Sequence, residues 1–94
     1  MNRSECLQTA ERVITGDREN TYGNPEDSFG VIAQFWTNYL ACHVTAEDVA
    51  NMMVLLKVAR AATGKFKADN YVDIAGYAAL ACEIGAAYEH ELKV

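Results

Sequence analysis

Four of the chain's eight basic residues, Lys57, Arg60, Lys65 and Lys67, fall close together with no acid among them. Asp69 and Asp73 follow at once. A cationic stretch beside a carboxylate pair is the part of this sequence best suited to chemistry. Ammonium and guanidinium groups both suit a phosphate, the guanidinium as a planar fork. Lys57 interrupts the apolar run VLLKVA, where an unpaired charge is costly, so it needs an anionic partner. Two kinds of partner stay open: a carboxylate of the same fold, Asp73 above all, or the phosphate of a ligand. Basic groups near a helix C-terminus also interact favourably with its dipole. Asp69 and Asp73, four residues apart, share one face of a helix. Such a pair could hold a magnesium ion together with waters and ligand phosphates. Equally, Asp69 could cap a helix and Asp73 pair with a cation. Glu83 lies on the same side but roughly 15 Å beyond Asp73 along a helix axis, too far to share one metal.

The loop Asp17, Arg18, Tyr22, Gly23, Asn24 is a further candidate. Its tyrosine could stack on a base and its arginine could bind phosphate. A plain helix connection has the same composition. His43 and His90 stand apart, and only Cys42 neighbours a histidine. A catalytic Cys–His pair therefore has little support. The chain has no P-loop, GxGxxG, HExxH or GxSxG.

Helices must position these groups. Cys6, Leu7, Ala10, Val13 and Ile14 recur at the spacing of one helical face, which predicts a helix over residues 3–15 ended by a left-handed Gly16. Asn24 as cap, Pro25 at the first helical position and the acids Glu26 and Asp27 predict a second helix over 25–41. Phe29, Ile32, Phe35, Trp36, Tyr39 and Leu40 form its aromatic-rich stripe, with Trp36 expected to be largely buried. Thr45 with Asp48 three residues on reads as a capping box for a third helix, over 46–63, ended by Gly64. That helix is apolar around most of its circumference, so it is expected to be central or to lie in an interface. Asp69 is the expected cap of a fourth helix over 70–91. On it, Gly76 leaves room for a close neighbour, with Leu80 packing one turn further on. No alternating run or hairpin dipeptide predicts a strand. The expected fold is a single all-α domain, residues 1–94, with a four-helix bundle-like protomer.

The whole-chain numbers narrow the classes. Hydrophobic residues are 51% of 94 positions, which is generous for so small a core. The surplus suits a subunit interface, so a homo-oligomer, dimer or tetramer, is expected. The formal net charge of −5 opposes general binding to DNA or RNA, but one local basic patch suffices for a small phosphorylated ligand. Three widely spaced cysteines, Cys6, Cys42 and Cys82, without a CxxC, fit small buried thiols in a reducing cytoplasm. The polar residues Asn2 to Glu5 do not suit a signal peptide, and no apolar run approaches the ~20 residues of a membrane span. A soluble, cytoplasmic protein is the expectation.

The run GDRENTYGNPEDSF, then Trp36, Tyr39 and Leu40, then TAEDVANMMVLLKVAR and DNYVDIAGYAAL, resembles a family of small phage and prophage proteins that carry a domain of unknown function. The likeness spans about residues 10–82. It implies a phage or prophage origin and an all-α fold. More distantly, the last two helices are similar to MazG-like all-α nucleoside triphosphate pyrophosphatases. In those, a YG loop precedes helices that carry an acidic pair of the form (E/D)xxxDxxxY, which Asp69, Asp73 and Tyr77 match. The EExxE motif that completes the magnesium site of those enzymes is absent: Asn51 and Met52 stand where further acids would be needed.

The reading favoured by these residues is a phage-type protein that binds a nucleotide without hydrolysing it. Sequestration of a cyclic oligonucleotide immune signal, as an anti-defence sponge, fits a phage by analogy. Arg18, Lys57, Arg60 and Lys65 would meet phosphates, Tyr22 would stack on a base, and Asp69, Asp73 and Tyr77 would complete the site. No catalytic residue and no cofactor is expected on this reading. Two alternatives stay open. One is a MazG-like magnesium-dependent pyrophosphohydrolase, the only case that calls for Mg. The other is a helical module that binds a host protein.

Overall fold

The computed structural model describes residues 1–17 and 23–92, and all regular elements among them are helical. Helix α1 spans Arg3–Arg12 and runs into a single π-helical turn, Val13–Asp17. Helices α2 (Pro25–Leu40), α3 (Ala46–Ala62) and α4 (Ala68–Leu92) follow. The all-α, four-helix architecture expected from the sequence is what forms.

Local chemistry explains most of the starts. The Asn2 side chain accepts from the Glu5 N–H at 2.8 Å, and Glu5 accepts from the Asn2 N–H in return. Asn24 Oδ1 accepts from the Glu26 N–H at 2.8 Å, with Pro25 opening α2. Thr45 and Asp48 form the reciprocal box at the start of α3, both bonds at 3.0 Å. Gly64, at φ 94°, takes the left-handed turn after α3 that a side chain would resist.

Three expectations about elements need correction. Gly16 is not left-handed and does not end a helix; the chain winds on through the wider π turn that contains it. Thr15 Oγ1 donates to the Glu11 carbonyl at 2.6 Å, a back-bond that loosens regular winding at this point. Asp69 does not cap α4, because the helix already begins at Ala68 and the Asn70 N–H donates to the Lys67 carbonyl at 3.1 Å. The left-handed residue after α2 is Ala41, at φ 55°. Thr37 ties the following loop down: its hydroxyl accepts from the Val44 N–H at 2.9 Å and donates to the Val44 carbonyl at 3.2 Å.

The core lies where α2, α3 and α4 meet. Phe29, Val49, Ala50, Leu80 and Ile84 are its most enclosed members. Helices α3 and α4 form the main hairpin, α1 packs along α4, and α2 leans on α3 while barely touching α4. Small residues let neighbours come close to α4: a Cβ on Gly76 would meet Ile14 Cγ2 at 3.0 Å, and one on Gly85 would lie 2.9 Å from the Glu47 carboxylate of α3. The close approach at Gly76 is therefore real, and it comes from the π turn after α1. Leu80, one turn on, is buried as expected.

Burial departs from expectation elsewhere. Cys42 and Cys82 are exposed and Cys6 is half-buried, so the cysteines are not core thiols. They fall on helix faces, or in a loop, that no other described element covers. Trp36 is only half-buried, because α2 contacts α3 but leaves its side toward α4 open. Phe35, Tyr39 and Leu40 continue its stripe into solvent, and on α3 Leu55, Leu56 and Val58 are exposed as well.

Candidate functional site

Lys57 and Asp73 meet across the α3–α4 hairpin. Lys57 Nζ lies 2.8 Å from Asp73 Oδ2, with the two side chains 16% and 32% exposed. Of the two partners left open for Lys57, the structure provides the internal one. The pair sits at a half-wetted position, where its charges remain accessible to a polar group approaching from outside.

Beside this pair lies a cleft of about 290 Å³, lined by Ser28, Phe29, Ile32 and Trp36 of α2, Val49 and Met53 of α3, and Tyr77 of α4. It exists because α2 stands off from α4. Three aromatic rings make its walls, and Phe29 and Tyr77 lean together with centroids 6.3 Å apart at 32°. Met53 is one helical turn from Lys57, and Tyr77 is one turn from Asp73, a rise of about 6 Å in each case. The ion pair therefore lies about one helical turn beyond the cleft, whose lining includes neither Lys57 nor Asp73. Its volume approaches the ~300 Å³ lower bound of ordinary ligand pockets. A flat ring with a polar or anionic substituent is the chemistry that such a cleft accommodates.

Tyr77 and Asp73 also border a second space, between α4 and the end of α1, with Ala10, Val13, Ile14 and Gly76 around it. At about 50 Å³ it holds a water or two, not a ligand.

The remaining predicted site residues lie elsewhere. Arg60, Lys65 and Asp69 are exposed at the turn between α3 and α4, and neither Arg60 nor Lys65 forms an ion pair with any described residue. From Met53 to the end of α3 at Ala62 is about 14 Å. Lys57, Asp73 and Tyr77 thus belong to the middle of the hairpin, and Lys65 to its tip, with Arg60 and Asp69 between. Arg18 and Tyr22 lie outside the described residues. Among the described residues, no three of His, Cys, Asp or Glu come together as a set able to hold a metal ion. Asp69 and Asp73 have no third acid beside them.

Sequence reasoning assigned Phe29 and Trp36 to packing alone and so missed them, with Met53, as cleft walls. The signal was present only in part: four aromatic residues shared one stripe of α2, but nothing in the sequence told that α2 would stand away from α4. No helix among the described residues is long and apolar enough to cross a membrane.

Comparison with known proteins gives relatives from bacteriophages. The chain is 40% identical over 72 residues to the Gene 55 protein of Mycobacterium phage D29, and 45% identical over 73 residues to the Gene 55 protein of Mycobacterium phage L5. Each alignment takes in 77% of this chain but only 48% and 47% of the relative, so the chain spans about half the length of the curated relatives it matches. These relatives support the phage or prophage origin expected from the sequence motifs. No solved structure gives a significant match. The family model described as "Domain of unknown function (DUF6378)" matches residues 5–85, nearly the whole of the helical fold, and the chain belongs to that family.

Proposed function

We propose that this protein binds a nucleotide in the cleft between α2, α3 and α4, and holds it without hydrolysing it. The observation that carries this reading is the aromatic cleft of Phe29, Trp36 and Tyr77, placed one helical turn from the Lys57–Asp73 pair. A base lies against the partly exposed rings of Trp36 and Tyr77, with its phosphate toward Lys57 and a donor on its edge toward Asp73. Stacking on aromatic rings contributes about 1–3 kcal/mol per base and tolerates any base. On this reading Arg18 is a further phosphate ligand and Tyr22 a further base contact by residue type alone, and Arg60 extends the positive charge along α3. The phage setting fits capture of a cyclic oligonucleotide immune signal in the host cytoplasm. The absence of an EExxE motif, with Asn51 and Met52 in its place, favours storage over cleavage.

The protein acts as a homo-oligomer on this reading. Phe35 at 71%, Tyr39 at 89% and Leu55 at 66% exposure are more apolar surface than a lone protomer of this size usually presents. Native mass spectrometry of gently purified protein reports subunit number and any co-purified small molecule together.

The direct test is thermal stability with cyclic di- and trinucleotides, followed by recovery of the ligand after denaturation. The expected result is a raised melting temperature, intact ligand on release, and loss of the effect in Trp36→Ala. No shift with any nucleotide overturns the proposal. Pyrophosphate released from a triphosphate at high magnesium, and abolished in Asp73→Asn, would replace it with the pyrophosphohydrolase.

A further inference from the structure

The tip of the α3–α4 hairpin carries a second concave surface that the nucleotide cleft does not use. Phe66 is 79% exposed and Tyr71 49%, yet their rings stack, with centroids 6.1 Å apart and planes at 27°. Two aromatic rings held in water on a turn lose rotamer freedom without burying much area. A cleft of about 250 Å³ adjoins them, with Asn2, Arg3 and Cys6 of the α1 end on its other side and Ala68 at its base. Lys65 and Lys67 bracket Phe66 in sequence, and both are exposed. Arg3, Lys65 and Lys67 form no ion pair with any described residue. In a chain of net charge −5, Arg3 in the cleft wall and Lys65 and Lys67 on either side of Phe66 in sequence bring positive charge to this end, with Asp69 the next acid along the chain.

We infer that this tip is a separate binding site for a planar anion of the nucleoside phosphate class. The ring of the ligand lies on the Phe66–Tyr71 pair, and its phosphate is held by Arg3 and by the lysines on either side of Phe66. A guanidinium opposite an aromatic face suits a planar anion at both of its ends. The concave shape and modest volume fit a small molecule. A polynucleotide would meet the acidic remainder of the surface and be repelled. The assignment also separates Lys65 from Lys57: Lys57 is paired with Asp73 in the middle of the hairpin, and Lys65 stands exposed at its tip.

The test is an NMR titration of the intact chain with AMP, with adenosine and inorganic phosphate as separate arms. The expected result is AMP-dependent shifts at Arg3, Cys6 and residues 65–71. Phe66→Ala is expected to weaken them about tenfold or more, and Lys65→Ala combined with Lys67→Ala to weaken them as well. Trp36→Phe should leave them in place, so failure of the α2–α3–α4 cleft and failure of the tip read out separately. The inference is overturned if AMP shifts only resonances around Trp36 and Tyr77. Equal shifts from inorganic phosphate alone, or AMP shifts undiminished in Phe66→Ala, overturn it too.

Discussion

The two ends of the α3–α4 hairpin are built on opposite plans. At the end where α3 begins, side chains hold the backbone and the packing is closed. Thr37 holds Val44, Thr45 and Asp48 cap each other, Glu47 lies over Gly85, and Val49 and Ile84 are wholly buried. At the other end, α3 stops at a glycine turn, α4 starts without a side-chain cap in evidence, and Phe66 and the lysines face water. The Lys57–Asp73 pair and the aromatic cleft lie between. Stability is thus concentrated at one end, which leaves the middle and the tip free to carry polar and aromatic groups that packing alone does not require.

Substitutions grade this contrast. Ile84→Ala removes a fully enclosed side chain from the closed end and is expected to cost about 2–5 kcal/mol, read as a fall in the denaturation midpoint. Lys57→Ala strands a half-wetted carboxylate and should cost about 1–2 kcal/mol, between the values for exposed and buried pairs. A double-mutant cycle with Asp73→Ala isolates the coupling. Thr45→Ala opens the capping box and should cost about 1 kcal/mol, seen in urea titration. Phe66→Ala at the tip should change stability by less than about 0.5 kcal/mol. A larger loss there would mean that the aromatic pair holds the fold together, and the contrast between the ends would fail.

The sequence displayed the elements more fully than their depth. Asn24–Pro25, the Thr45–Asp48 pair and Gly64 are local signals, and each marks a boundary because its chemistry acts within four residues. Lys57 advertised its need for a partner through the apolar run around it. Gly76 showed that something would pack against it, though not that the neighbour would be Ile14 from a π turn. The burial of Trp36 and of the cysteines was not legible, because it depends on how far α2 stands from α4 and on which faces stay uncovered. The candidate site was only half visible for the same reason. Its charges lie in one stretch of sequence, but that stretch runs along a rod, and a rod separates its two ends in space.

The Lys57–Asp73 ion pair bears on how the hairpin finds its alignment. Alanine and glycine make up much of the α3–α4 seam, at Ala46, Ala50, Ala81 and Gly85. Such a seam discriminates weakly against sliding by one turn. A slip of four residues one way would bring Lys57 opposite Tyr77 and part the pair, whereas a slip the other way would set it against Asp69. The salt bridge thereby pins the register against the first of these slips. A Lys57→Met, Asp73→Leu double variant should keep its helix content and thermal midpoint yet show doubled amide resonances from two coexisting alignments; one sharp set would assign the alignment to packing instead.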